Sequence, residues 1–318
     1  MTASPAPVLL HLIALALLAA FPWVGGEFYV DLALTLMILA LFALSLDLLV
    51  GYTGLVSFGH AAFFGLAGYV LAMITPETEP VSLWAALAAC LAASAAAALV
   101  IGWFSVRTSG IYFIMITLAF AQMLYYFLSE SPAFGGSDGL FVNFRPVAAV
   151  GDWLLFDLDD PMVFYYFVLA TLLAGYALLT TILRAPFGQV LQGIRINEGR
   201  TRALGFPTPR YKLVSFVIAG TLAGLAGFLE AVHTGYVSPG HLSWHESGIV
   251  LMVVILGGRG TLYGPVLGAF TFGLLRNGLQ DVTEHWILFM GLFIVALVLF
   301  LPGGIAGLIR RAPKGGSQ

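Results

Sequence analysis

His245 and Glu246 stand side by side in HESGI. They open the zinc-protease pattern H-E-x-x-H, in which two histidines one helical turn apart hold the metal and the glutamate activates water. The second histidine would fall at Ile249, so that chemistry is absent. Ser57 in GLVSFG offers a hydroxyl with His60 three residues on, within reach on a helix. Its upstream glycine stands one position too far for G-x-S-x-G, and no carboxylate is at hand to orient the histidine. The phosphate-cradling pattern G-x-x-x-x-G-K-[ST] does not occur, because neither lysine (Lys212, Lys314) follows the required glycines. The one cysteine, Cys90, excludes an internal disulfide, and in LWAALAACLAASAAAALV it reads as a small helix-packing residue. No His, Cys, Asp or Glu cluster has metal-ligand spacing. No catalytic residue and no metal site are expected.

The ionisable and polar residues that do sit in apolar surroundings are few. They are Asp31 and Asp47, His60, Thr117 and Gln122 in GIYFIMITLAFAQM, and Glu230 with His233. A charged carboxylate at mid-bilayer costs about 2.5–3.5 kcal/mol on insertion scales, so each needs a partner or water. Asp47 lies near the end of its apolar run, where interfacial water can solvate it. Glu230 and His233, three residues apart, share a helix face, and two roles fit them equally: pairing helices or lining a path. Thr117 and Gln122 are cheaper groups that suit interhelical hydrogen bonds. Buried acids are too sparse for an evident proton relay.

The elements that must carry these residues are membrane helices. The 318 residues are 60% hydrophobic and only 9% charged, with a mean hydropathy of +0.98, whereas a soluble domain is roughly 25% charged. A net charge of −3 leaves no electrostatic footprint for nucleic acid. A helix needs about 20 apolar residues to cross the hydrocarbon core. Clear runs lie at about 8–24, 28–50, 81–104, 110–129, 161–183, 211–236 and 285–302, with less regular ones at 51–75, 244–257 and 261–279. The fold class is therefore an all-α polytopic membrane protein of about ten segments. With the N-terminus inside, eleven of the thirteen basic residues fall on one face and only Arg145 and Arg276 on the other. That is the positive-inside bias, and it places both termini inside. The first run is read as a retained helix, since no basic residue precedes it.

A loop at 130–160 separates a first half (1–129) from a second (161–318), about five segments each, in one transmembrane domain. An odd number per half implies opposite orientations, the inverted-repeat plan of many transporters. Each half has one glycine-broken stretch, GYTGLVSFGHAAFFGLAGY (51–69) and LGGRGTLYGPVLGAF (256–270). Broken helices leave backbone groups that lipid cannot satisfy. Ser57, Gly59 and His60 in the first, and Gly257, Gly258, Gly260 and Gly264 in the second, are candidates for a pathway or gate, together with Thr117, Gln122, Glu230 and His233. Close helix packing is the other reading of the glycines. The basic loop 184–212, RAPFGQVLQGIRINEGRTRALGFPTPRYK, is too long and polar for a turn. A helix over about 188–204 is expected there, ended at Gly205, with Pro207 and Pro209 blocking its continuation. Such an amphipathic helix either docks a soluble subunit or lies on membrane lipid.

Four landmarks carry a resemblance over about Leu44 to Gly307. They are SLDLLVGYTGLVSFGHAAFFGLAGY (45–69), SGIYFIMITLAFAQM with GGSDGL (109–123, 135–140), FGQVLQGIRINEGRTRALGF (187–206) and GYVSPGHLSWHESGIVLMVVILGGRGTLYGPVLGA (235–269). In that order they resemble the LivM-type permease subunit of the bacterial branched-chain amino acid ABC importer family. The resemblance implies a machine with a second homologous permease (a heterodimer), two cytoplasmic ATPases and a periplasmic substrate-binding protein, in the bacterial inner membrane. ATP and Mg would be bound on the ATPases, with no cofactor on this chain. In that family an E-x-x-A-x-x-L-G-like element enters a cleft on the ATPase. Here Glu198 and Leu204-Gly205 match it. Arg195, Glu198, Arg202, Ala203, Leu204 and Gly205 are the implied coupling residues. The expected function is inward movement of branched-chain amino acids by alternating access. The alternatives are a related permease for urea, short amides or aromatic carboxylates, and a self-sufficient secondary transporter or channel.

Overall fold

The computed structural model describes residues 16–76, 78–150, 153–301 and 303–311. The expected first span therefore falls partly outside the described residues, as do Lys314 and part of the PETEP loop. Residues 16–24 are helical (α1). There follow α2 (Glu27–Asp47), α3 (His60–Ile74), α4 (Leu83–Ser105), α5 (Ile111–Glu130), α6 (Pro161–Arg184), α7 (Pro186–Ala203), α8 (Thr208–Thr234), α9 (Trp244–Gly257), α10 (Tyr263–Val282), α11 (Trp286–Phe300) and α12 (Gly304–Arg311). Among the described residues, six helical stretches are long and apolar enough to cross a membrane: Glu27–Thr53, Leu83–Ser105, Ile111–Glu130, Pro161–Arg184, Thr208–Thr234 and Trp286–Leu308.

The core is built on α2 and α8. From Ala33 to Asp47 almost every residue of α2 is buried, because α6, α8, α9 and α10 all pack around it. Helix α8 lies against α3 and α4 at close range. A Cβ on Gly224 would overlap Ser94 of α4, and one on Gly227 would overlap the Phe64 backbone of α3. With lipid as solvent, such backbone proximity supplies the van der Waals gain that apolar burial does not. At the edge, α11 is apolar all round and exposes Leu292, Leu299 and Phe300, the surface a bilayer accepts.

One end of the bundle is basic. Thr53, six residues beyond α2, bonds Ser215 near the start of α8 (2.9 Å), a Cβ on Gly102 of α4 would meet Leu213 and Phe216, and Gly304 abuts Gly258. This gathers Arg107, Arg184, the α7 arginines, Arg210 and Arg259 at one level, with Arg107 lying over Trp103 (4.9 Å). At the far end Trp23 donates to Tyr166 (2.9 Å) and Arg276 lies over Trp286 (5.3 Å). Aromatic residues at both ends match interfacial belts.

Several expected boundaries are corrected. The run 28–50 does not stop at Val50: the helix continues as a π-helix, Leu48–Thr53, so the break lies at 54–59 and only α3 is helical beyond it. The run at 211–236 starts at Thr208, and Pro209 sits in its first turn instead of blocking helix, where a missing N–H costs nothing. The 130–160 region is not structureless. Strand β1 (Leu140–Phe141) pairs antiparallel with β4 (Tyr236–Val237), and β2 (Ala148–Val150) with β3 (Trp153–Phe156), so an otherwise all-α chain carries two short ribbons.

Candidate functional site

The basic hairpin is two helices in one. Asn197 leaves helical geometry (φ −159°, ψ 100°) inside α7. Its side-chain oxygen accepts from the Arg200 N–H (2.9 Å), so it N-caps a second, short helix beginning at Glu198. That helix closes at Gly205, whose φ of +92° suits only glycine. Gly205 N–H donates to the Arg202 carbonyl (2.9 Å) and Phe206 N–H to that of Thr201 (3.4 Å), the paired bonds of a Schellman motif. The Glu198 carboxylate then staples the corner. It accepts from Arg202 (3.1 Å), Thr208 (3.0 Å) and Lys212 (3.2 Å). Burial pushes the Glu198 carboxyl up, but the Lys212 charge, the Thr208 and Lys212 hydrogen bonds and Arg202 outweigh it and hold it below its ordinary value. With the corner fixed, Ile196 (82% exposed) and Leu204 (73%) project from it.

Arg195 points the other way. Its stem runs over Gly54, where a Cβ would lie 3.3 Å from Arg195 Cγ, and its guanidinium donates to the Gly51 carbonyl. A cation at a helix C-terminus satisfies carbonyls that have no partner further along the helix. One turn back, Asp47 is fully buried and its Oδ1 accepts the N–H of Gly260 (2.9 Å). The Leu262 backbone lies within hydrogen-bonding reach of Tyr52. The break after α2 and the break between α9 and α10 therefore meet at the inner edge of the hairpin. Gly51 permits it, since a Cβ there would overlap both Asp47 and the Gly260 nitrogen.

Deeper in the bundle His60 is buried, and its Nε2 pairs with Ser45 (2.8 Å) beneath the stacked ring of Phe42 (5.7 Å). Ser57 accepts from Gly59 N–H (3.3 Å). Ser57 and His60 do not hydrogen-bond to each other: His60 Nε2 is taken by Ser45 and its Nδ1 has no partner among the described residues, and Ser57 precedes the helix that His60 begins. Thr117 accepts the Phe58 N–H (3.3 Å), and Gly59 lies so close to the Thr117 carbonyl that a Cβ would overlap it; α5 thus covers the unwound segment. Ser247 of α9 accepts from Ala61 N–H (3.0 Å), tying the start of α3 to the second half. Gln122 buries an Oε1 with no partner among the described residues.

At the far end, the shared helix face of Glu230 and His233 is not used as a pair. His233 meets Asp31 (3.4 Å) and stacks on Phe164 (5.9 Å), while the charged neighbours of Glu230 are Glu246 and Asp31. In the second break, Gly257 packs on Gly264, and Gly258 (φ +112°) and Gly260 (φ +75°) make the turn. Among the described residues no three His, Cys, Asp or Glu are placed to hold a metal ion.

Residues 28–301 match the family described as "Branched-chain amino acid transport system / permease component". The chain belongs to that family. The permease is 29% identical to LivM, the permease protein of the high-affinity branched-chain amino acid transport system of Escherichia coli (strain K12), over 96% of this chain and 76% of that one. It is 26% identical to a probable branched-chain amino acid transport permease, LivM, of Methanocaldococcus jannaschii, over 48% and 47% of the two chains. It is also 26% identical to the ribose import permease RbsC of E. coli (strain K12), over 36% and 38%. No solved structure matches it. It is a multi-pass membrane protein of branched-chain amino acid transport.

Sequence reasoning missed the residues that join the permease's parts. Asp47 was expected to sit in interfacial water; it is sequestered and committed to Gly260. The available signal was a carboxylate inside an apolar run with no partner of its own, one turn before a Gly-x-x-Gly. Asn197, Thr208 and Lys212, which shape the corner around Glu198, were signalled only by their density of polar groups.

Proposed function

We propose that this chain is the transmembrane permease subunit of an ATP-binding-cassette importer. It moves branched-chain amino acids inward by alternating access and is driven by partner ATPases. It works as a single transmembrane domain with ten crossings, N-in and C-in, in the inner membrane, its halves 1–129 and 161–318 arranged as inverted repeats around the periplasmic loop 130–160. A second homologous permease completes the path, two cytoplasmic ATPases bind ATP and Mg, and a periplasmic binding protein delivers the solute. This subunit performs no bond chemistry.

The observation that carries the reading is the capped corner Glu198–Gly205. It is a rigid knob at the basic end, with Ile196 and Leu204 projecting from it. Exposed apolar side chains beside arginines suit insertion into a protein cleft better than contact with water. Arg200, Arg202, Ala203 and Leu204 would meet the ATPase, Glu198 would hold the knob in shape, and Arg195 would sit on its inner side. The segments near Ser57, His60 and Thr117, and the 257–264 break, would line or gate the path.

Gly205→Glu tests this directly. A side chain at φ +92° disrupts the cap, so uptake is expected to fall at least tenfold while the variant still inserts in the membrane. Normal uptake by that variant would overturn the coupling assignment.

A further inference from the structure

We infer that Asp47, Gly51 and Arg195 form a clasp through which movement of the basic hairpin reaches the broken segment 258–262 of the second half. The inference rests on the proposed coupling role of that hairpin and adds the route inward.

Three separate pieces of chain meet at one point. From α7, the Arg195 guanidinium grips the Gly51 carbonyl. From α2, the Asp47 carboxylate one turn earlier holds the Gly260 N–H (2.9 Å) across 213 residues of sequence. From the second break, Gly260 itself lies against both. A Cβ built on it would be 2.9 Å from Arg195 Nη1 and 3.0 Å from the Gly51 oxygen. There is thus no room for a side chain between Gly260, the guanidinium and the Gly51 carbonyl, so a displaced guanidinium bears on the Gly260 backbone. The two ends of the linkage also differ in stiffness. Segment 258–262 turns on two glycines in left-handed geometry, Gly258 and Gly260, which rotate at little cost. The Asp47 end is a π-helix junction inside the most buried helix, a departure from regular helix common where function requires it.

The chemistry of the acid fits transmission better than packing alone. Only Oδ1 of Asp47 is used; Oδ2 is buried with no partner among the described residues. A buried, half-used carboxylate is costly, and Arg195 is the cation that faces it. When α7 shifts, Oδ2 offers the guanidinium a second acceptor beside the Gly51 carbonyl. The clasp then has two arrangements, which is what coupling through packed elements requires. Asp47 is thus a positioning residue that acts through Gly260, not a contact for the solute.

The test uses the full importer with its ATPases and binding protein, and two fluorophores on separate preparations. One is at Leu204→Cys, where it reports on the knob; the other is at Arg259→Cys, beside Gly260. With the clasp intact, ATP changes both signals. Arg195→Ala and Asp47→Ala are expected to leave the response at 204 and abolish that at 259, with uptake per ATP hydrolysed falling about tenfold. Asp47→Asn keeps an acceptor for the Gly260 N–H but puts an NH2 donor where the guanidinium needs its second acceptor, so the 259 response is expected to stay lost; a full response in that variant would overturn the two-arrangement clasp. Should Asp47→Ala fail to accumulate, Arg195→Ala, on an exposed helix position, carries the same comparison. An unchanged 259 response in the variants overturns the clasp. Loss of the 204 response in the unaltered importer would instead overturn the coupling reading beneath it.

Discussion

At the residue scale, one carboxylate does most of the work at the hairpin. Glu198 faces Lys212, which is only 3% exposed, and Arg202, which is 65% exposed. The two partners are not equal. An exposed pair contributes about 0.2–1 kcal/mol, so Arg202→Ala should cost little stability. Removing Glu198 leaves a buried ammonium without its anion. Glu198→Ala should therefore destabilise the detergent-solubilised permease by about 1–3 kcal/mol, read as a lower thermal midpoint. The pH dependence has a definite sign. Because the folded-state carboxyl is held below its ordinary value of 4.5, its stabilisation is complete above that value and disappears as pH falls through the lower folded value. The acid limb of the melting profile should flatten in Glu198→Gln. An acid limb identical to that of the unaltered protein would show that the staple adds nothing.

At the element scale, the long apolar helices were legible because a run of about 20 apolar residues admits few alternatives in a membrane. Their interruptions were less so. The letters GYTG mark a break, but not that Leu48–Thr53 stays wound as a π-helix, whose last residue, Thr53, places its hydroxyl on the Leu48 carbonyl and on Ser215, 162 residues away. The kink at Asn197 was hidden in an apparently continuous helical pattern, and the Asp47–Gly260 bond joins residues that no local spacing connects. Ser57 and His60 show the converse: a three-residue spacing that would bring them together on one helix does not pair them, because α3 begins only at His60. The small-residue face of α8 has a clear consequence. Gly224→Val would drive a side chain into Ser94 of α4, and overpacking of this kind costs about 1–3 kcal/mol. The variant should melt earlier in detergent, and Gly248→Ala, where a Cβ meets nothing, should not. Equal melting of the two would mean that α8 does not pack as described.

At the scale of the whole molecule, a buried scaffold of α2 and α8 carries two glycine-broken segments toward a basic end, where a capped knob faces outward and a clasp faces inward. On the function proposed above, its stroke arrives from a partner ATPase, and the exposed Leu204 places the knob where it would receive that stroke. Site-specific cross-linking tests this most directly. A cysteine at Leu204, fitted with a short bifunctional reagent in native membranes, should capture a nucleotide-hydrolysing subunit, and the yield should change when ATP is added. A cysteine at Leu299, on the exposed apolar face of α11, should not capture it. Failure of Leu204→Cys to capture any such subunit, in membranes where the importer is active, would contradict the account.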